Sequence, residues 1–127
     1  MLTPGDHGST MGGNPVCCAA AVAAMHYLEE QDLMGNAART GQALKDELSN
    51  LKETLPGITA VRGIGLMVAF DTAEPVAQEM VKKGLDEGIV LNATGPNTVR
   101  LVPPLIISQG EVEKAVGLIA DTFKAVS

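Results

Sequence analysis

The stretch Ile58-Thr59-Ala60-Val61-Arg62-Gly63-Ile64-Gly65-Leu66-Met67-Val68-Ala69-Phe70-Asp71 decides how the chain is read. It holds two short apolar runs of strand length, 58–62 and 66–71, separated by Gly63-Ile64-Gly65. A Gly-x-Gly between two such runs is more often a tight turn or a bulge than a ligand loop. Working outward, two helices are predicted before it. Asn14-Pro15 opens the first, since Asn caps and Pro is preorganised for the first helical position; Gly35-Asn36 is expected to stop it at about Met34. The second covers roughly 37–54, with Leu44, Leu48, Leu51 and Leu55 at helical spacing and Lys45, Asp46, Glu47 and Lys52 on the other side.

After the two runs, a third helix over about 74–87 places Val76, Ala77, Met80, Val81, Gly84 and Leu85 on one face. A strand at 89–92, a turn-rich ATGPN segment and a strand at 98–102 follow, and Pro103-Pro104 ends the last strand. Ser108 and Glu111 stand in capping-box spacing at the start of a final helix that buries Val112, Ala115, Val116, Ile119 and Phe123. The order α-α-β-β-α-β-β-α defines an α+β domain. Its small sheet has about four short, mainly antiparallel strands with helices on one face, preceded by a long Ala-rich helix.

Composition narrows the function. The chain has 127 residues, one domain's worth, and 46% hydrophobic residues, enough to bury a core. Aromatics are 2%, too few for stacking platforms that bind single-stranded nucleic acid. The net charge is −6 and the basic residues are scattered, so no electrostatic footprint for nucleic acid or an anionic membrane is present. The adjacent Cys17 and Cys18 cannot form a normal disulfide with each other on a helix, so reduced thiols are expected. The apolar run at 15–24 has no Lys or Arg before it and is too short to span a bilayer. A soluble, cytoplasmic chain without membrane or nucleic-acid partners is expected.

Three places could carry chemistry. Gly8-Ser9-Thr10-Met11-Gly12-Gly13-Asn14 lies directly before a helix. Its two hydroxyls and the amides of a helix N-terminus suit a phosphate, yet such a loop is more often a plain helix cap. Arg100, within Val99-Arg100-Leu101-Val102-Pro103-Pro104-Leu105, shares a strand face with Thr98 and Val102. Its planar fork suits a carboxylate, which is either a ligand or a structural ion-pair partner. The third place is the Gly-x-Gly already described. His26 is expected at a core or boundary position and Met25, Met67 and Met80 as core fillers. His7 sits in the loop without a metal-ligating partner. Lys45, Lys52, Lys82, Lys83, Lys114 and Lys124 all fall at polar positions of predicted helices, unlike a desolvated, activated amine.

Taken together, Gly5-Asp6-His7-Gly8-Ser9-Thr10-Met11-Gly12-Gly13-Asn14-Pro15, VRGIGLM at 61–67 and GIVLNATGPNTVRLVPPLIIS at 88–108 resemble class III pyridoxal-phosphate-dependent aminotransferases. The segment LNATGPNTVRLVPPLIIS is most similar to the acetylornithine type. One departure is Met11, where that family usually has Phe or Tyr. The resemblance implies the C-terminal part of a fold-type I enzyme that moves an amino group from N-acetylornithine to 2-oxoglutarate in arginine biosynthesis. It implies that Thr10 binds the cofactor phosphate of a neighbouring subunit, that Ser9 contacts cofactor or substrate, and that Arg100 receives the α-carboxylate of glutamate or 2-oxoglutarate. The Schiff-base lysine and an N-terminal large domain would lie upstream, so no catalytic residue is expected in this chain and the chain alone is expected to be inactive. The implied organisation is a loop remnant of the large domain at 1–14, an interdomain helix at 15–35 and a small domain at 36–127, within a homodimer. The competing reading is a stand-alone α+β module that binds a small metabolite or dimerises without catalysis.

Overall fold

The computed structural model describes residues 3–6, 8, 10 and 12–127. They fall into two compact units, Met1–Asp32 and Leu33–Ser127.

The first unit holds helix α1, Pro15–Glu30. Asn14 caps it as its sequence predicts: the Asn14 side chain accepts from Val16 N at 3.0 Å and Cys17 N at 3.3 Å. The predicted run to Met34 is not observed. α1 ends at Glu30, and Asp32 takes a left-handed conformation (φ 47°) while its amide donates to the Glu29 carbonyl. An Asp tolerates that conformation because its short polar side chain can bond locally, so the chain turns before reaching Gly35. No residue of α1 is buried, which corrects the expected core or boundary position of His26 and the core role of Met25, 61% exposed.

The second unit is an antiparallel sheet with helices on one side. Helix α2 spans Leu33–Thr54, and β1 (Ile58–Ile64) and β2 (Met67–Thr72) form a hairpin. Helix α3 covers Ala77–Asp86, followed by β3 (Asn92–Ala93), β4 (Thr98–Leu101) and α4 (Gln109–Lys124). The strand order is β1-β2-β4-β3 with every neighbouring pair antiparallel. This is the α+β architecture expected from the sequence.

Alternation along the strands sorts the two faces. Phe70 pairs with Val61 on one side and Val99 on the other, and Phe70 and Val99 are fully buried. Against this face pack Leu44 and Leu48 of α2, Met80 of α3, and Val112, Ile119 and Phe123 of α4, one continuous apolar core. A bulge between Ile58 and Ala60 lets Ile58 join the buried side opposite Thr72. The opposite face of the sheet carries Arg62, Ala69, Arg100 and Asn92 in a row, each directly opposite the next. Met67, 56% exposed, also leaves the core it was expected to fill, whereas Met80 is fully buried as expected.

Two further differences have local causes. The predicted strand at 89–92 shortens to Asn92–Ala93, because the Ile89 amide returns to the Gly84 carbonyl (2.8 Å) to close the end of α3. Leu85, expected on the apolar face of α3, is 59% exposed.

Candidate functional site

Arg100, the residue expected to receive a carboxylate, lies in the open row of the sheet. Arg100 sits on β4 between Val99, fully buried, and Leu101, buried, so the backbone around it is anchored while its own side chain is exposed. Side chains hold that strand from both ends. Asn97 Nδ2 donates to the carbonyls of Thr72 (2.9 Å) and Ala73 (3.2 Å), tying the start of β4 to the end of β2. Beyond the strand, Asn36 Nδ2 donates to the carbonyls of Leu105 (2.8 Å) and Ile107 (3.0 Å). Asn36, read from sequence as part of a helix stop, is instead inside α2 and fixes the segment after Pro103-Pro104.

Beside Arg100 lies a polar cluster that sequence reasoning missed. The Arg62 guanidinium makes a two-point contact with Asp71: one nitrogen bonds Oδ2, and the other bonds Oδ1 at 3.1 Å. Thr98 Oγ1 donates to Asp71 Oδ1 at 2.7 Å. Hydrogen bonds from Arg62 and then Thr98 hold the Asp71 carboxyl below the usual carboxylate range, and the same carboxylate raises the Arg62 guanidinium. Sequence alone gave no signal for this, since Arg62 and Asp71 meet only through the hairpin register. The Arg100 side chain makes no hydrogen bond or ion pair among the described residues.

The loop before α1 lies apart in sequence and in unit. Thr10 is exposed within a turn, and Gly13 takes φ 75° with nothing within 4 Å of a Cβ built there. The amides of Val16 and Cys17 are already bonded to Asn14, so the helix N-terminus does not offer them to a phosphate as the sequence suggested. Among the described residues of the loop, the exposed Thr10 hydroxyl is a donor of the kind a phosphate accepts. Ser9, His7 and Met11 lie outside the described residues. The Gly-x-Gly is the hairpin corner: Ile64 pairs with Met67 across Gly65-Leu66, and Gly65 has φ 50°. None of the six lysines is buried; Lys83 is ion-paired with Glu87 at 2.9 Å and Lys45 reaches the Gly63 carbonyl at 3.4 Å. Cys17 and Cys18 are free and exposed. Among the described residues no cluster of metal ligands occurs, and no helix is long and apolar enough to cross a membrane.

The second unit is thus an α+β fold with an exposed arginine, Arg100, on the face of its sheet away from the core. Comparison with known proteins gives it a family. Residues 1–123 match the family of class-III aminotransferases, and the chain belongs to that family. It is 42% identical over 124 residues to an acetylornithine aminotransferase of Gloeobacter violaceus, covering 97% of this chain and 31% of that protein. It is 37% identical over 123 residues to an ornithine aminotransferase of Oceanobacillus iheyensis, covering 97% of this chain and 30% of that protein. The crystal structure of acetylornithine aminotransferase from Elizabethkingia anophelis superposes with a TM-score of 0.89 at 33% identity, over 98% of this chain and 33% of the other. The chain thus spans about a third of the length of the relatives it matches.

Proposed function

We propose that this chain supplies the carboxylate-binding and phosphate-binding parts of an aminotransferase that uses N-acetylornithine and 2-oxoglutarate. The observation that carries the proposal is Arg100, an arginine on an anchored strand with its fork open and no partner among the described residues. A guanidinium offers two parallel N–H donors to a carboxylate, which fixes the orientation of a 2-oxo acid as well as attracting it. In this reading Arg100 takes the α-carboxylate of glutamate or 2-oxoglutarate. Thr10 donates its hydroxyl to the phosphate of pyridoxal phosphate in the neighbouring subunit of a homodimer, and Ser9 lies beside it at cofactor or substrate. The cofactor, when bound, supplies the electron sink for the amino-group transfer. The lysine that carries it belongs to an N-terminal large domain, of which 1–14 is the last loop; 15–35 then connects to a small domain at 36–127. The acetylornithine aminotransferase names among the relatives support the choice of amino donor, and with that donor the reading places the complete protein in arginine biosynthesis, in the cytoplasm.

The test is kinetic. In the complete protein, Arg100→Leu should raise KM for 2-oxoglutarate about a hundredfold, the loss expected for a charged hydrogen-bonded pair, while KM for N-acetylornithine changes far less. The 127-residue chain alone should show no turnover with the two substrates. Unchanged KM for 2-oxoglutarate would make Arg100 a structural residue and sink the reading.

A further inference from the structure

Arg62 and Arg100 stand on either side of Ala69 in one row of the open face, Arg62 on β1 and Arg100 on β4. Asp71 is two residues further along β2 on that same face. Because β1 and β4 both run antiparallel to β2, Asp71 has the same diagonal offset from each arginine. Diagonal neighbours of this kind lie about 7–8 Å apart at Cα, a gap that an arginine side chain spans. One carboxylate therefore stands at the same register offset from both arginines.

In the structure the carboxylate is committed to one side. Both oxygens accept from Arg62, and Oδ1 also accepts from the Thr98 hydroxyl, which comes from the Arg100 side of the row. Thr98 thus occupies the approach from β4, and the two-point contact with Arg62 fixes the plane of the carboxylate. We propose that Asp71 is a positioning residue whose capture by Arg62 and Thr98 keeps Arg100 open for a carboxylate ligand. If the carboxylate swung across, Arg100 would hold an internal acid and a 2-oxo acid would have to displace it. This inference rests on the reading of Arg100 as a carboxylate receiver and adds what keeps that receiver available.

A ligand-free experiment decides it. Phenylglyoxal condenses with accessible, unpaired guanidinium groups, and peptide mass spectrometry reads the rate at each arginine of the 127-residue chain. Arg100 should react faster than Arg62 in the unaltered chain. In Arg62→Met the freed Asp71 turns to Arg100, and its modification should slow about fivefold, the size expected for an exposed ion pair. In Arg62→Met with Asp71→Asn the rate should return to its starting value, a rescue that a merely structural role would not give. Loss of fold would instead accelerate every arginine, Arg39 included; Arg62→Lys, which keeps the charge but not the two-point contact, then gives the same slowing at smaller size. Equal Arg100 rates in the unaltered chain and the folded Arg62 variant overturn the proposal, as does slowing that persists in the double variant. No substrate enters this comparison, so its failure is separable from failure of the Arg100→Leu kinetics.

Discussion

A Cβ built on Gly41 of α2 would lie 2.0 Å from the Gly65 carbonyl oxygen and 2.3 Å from its carbon, so the hairpin corner rests directly on the helix backbone. The obstacle is backbone, which cannot rotate away as a side chain would. Gly41→Ala should therefore destabilise the fold by about 2 kcal/mol, overpacking outweighing the gain in helix propensity. Gly117→Ala, at an exposed site in α4 with nothing within 4 Å, should instead stabilise by about 0.5–1 kcal/mol. Thermal unfolding of the two variants checks the pair, and a fall in Tm for both or for neither would contradict the contact. The importance of Gly41 was not legible, since a glycine inside a helical pattern reads only as a weak helix former. Arg100 was legible, because a cation between buried strand residues demands an explanation from composition alone. Asp71 was not, because its role depends on register, which no run of residues states.

Helix starts were more legible than helix ends. Asn14-Pro15 and Ser108 with Glu111 each name their own partners within three residues, and both caps form. Ser108 Oγ accepts from Glu111 N at 3.3 Å, and Glu111 Oε2 accepts from Ser108 N at 2.8 Å. The bond from the Ser108 amide, and then that from the Ser108 hydroxyl to the same oxygen at 2.7 Å, hold the Glu111 carboxyl below its ordinary range. Gly35-Asn36 carries an equally clear local stop signal, yet both residues are helical in α2. There the Asn36 amide satisfies two carbonyls about 70 residues away, a long-range use that competes with its local tendency and wins. The same contrast predicts where a cap matters. Ser108→Ala removes the acceptor for the Glu111 amide and should cost about 1 kcal/mol, lowering Tm by roughly 4–8 °C. Ser108→Asp, which keeps an acceptor at that site, should restore most of the loss in the same melt. An unchanged Tm in Ser108→Ala would mean that packing of Val112 and Val116 alone fixes the start of α4.

Across the whole chain, the two units differ in what stabilises them. Leu33–Ser127 holds the buried core that joins the sheet to three helices. Helix α1 has 16 residues, no buried side chain, and exposed Val16, Val22, Met25 and Tyr27. An Ala-rich helix that is apolar all round suits burial between packed layers. A helix of this length with only local hydrogen bonds is marginal in water, since nucleation is costly and burial usually supplies the stability. Amide exchange in the 127-residue chain should then be graded. The amides of α1 should exchange near the rate of local opening, and those of Phe70 and Val99 only with global unfolding. In the complete protein of the proposed function, α1 would gain apolar partners, and its exchange should slow by at least tenfold while the core strands change little. Protection of α1 equal to that of β2 in the isolated chain would show that the helix is stabilised without such partners. That result would remove the main physical reason for assigning residues 15–35 to a connection between two domains.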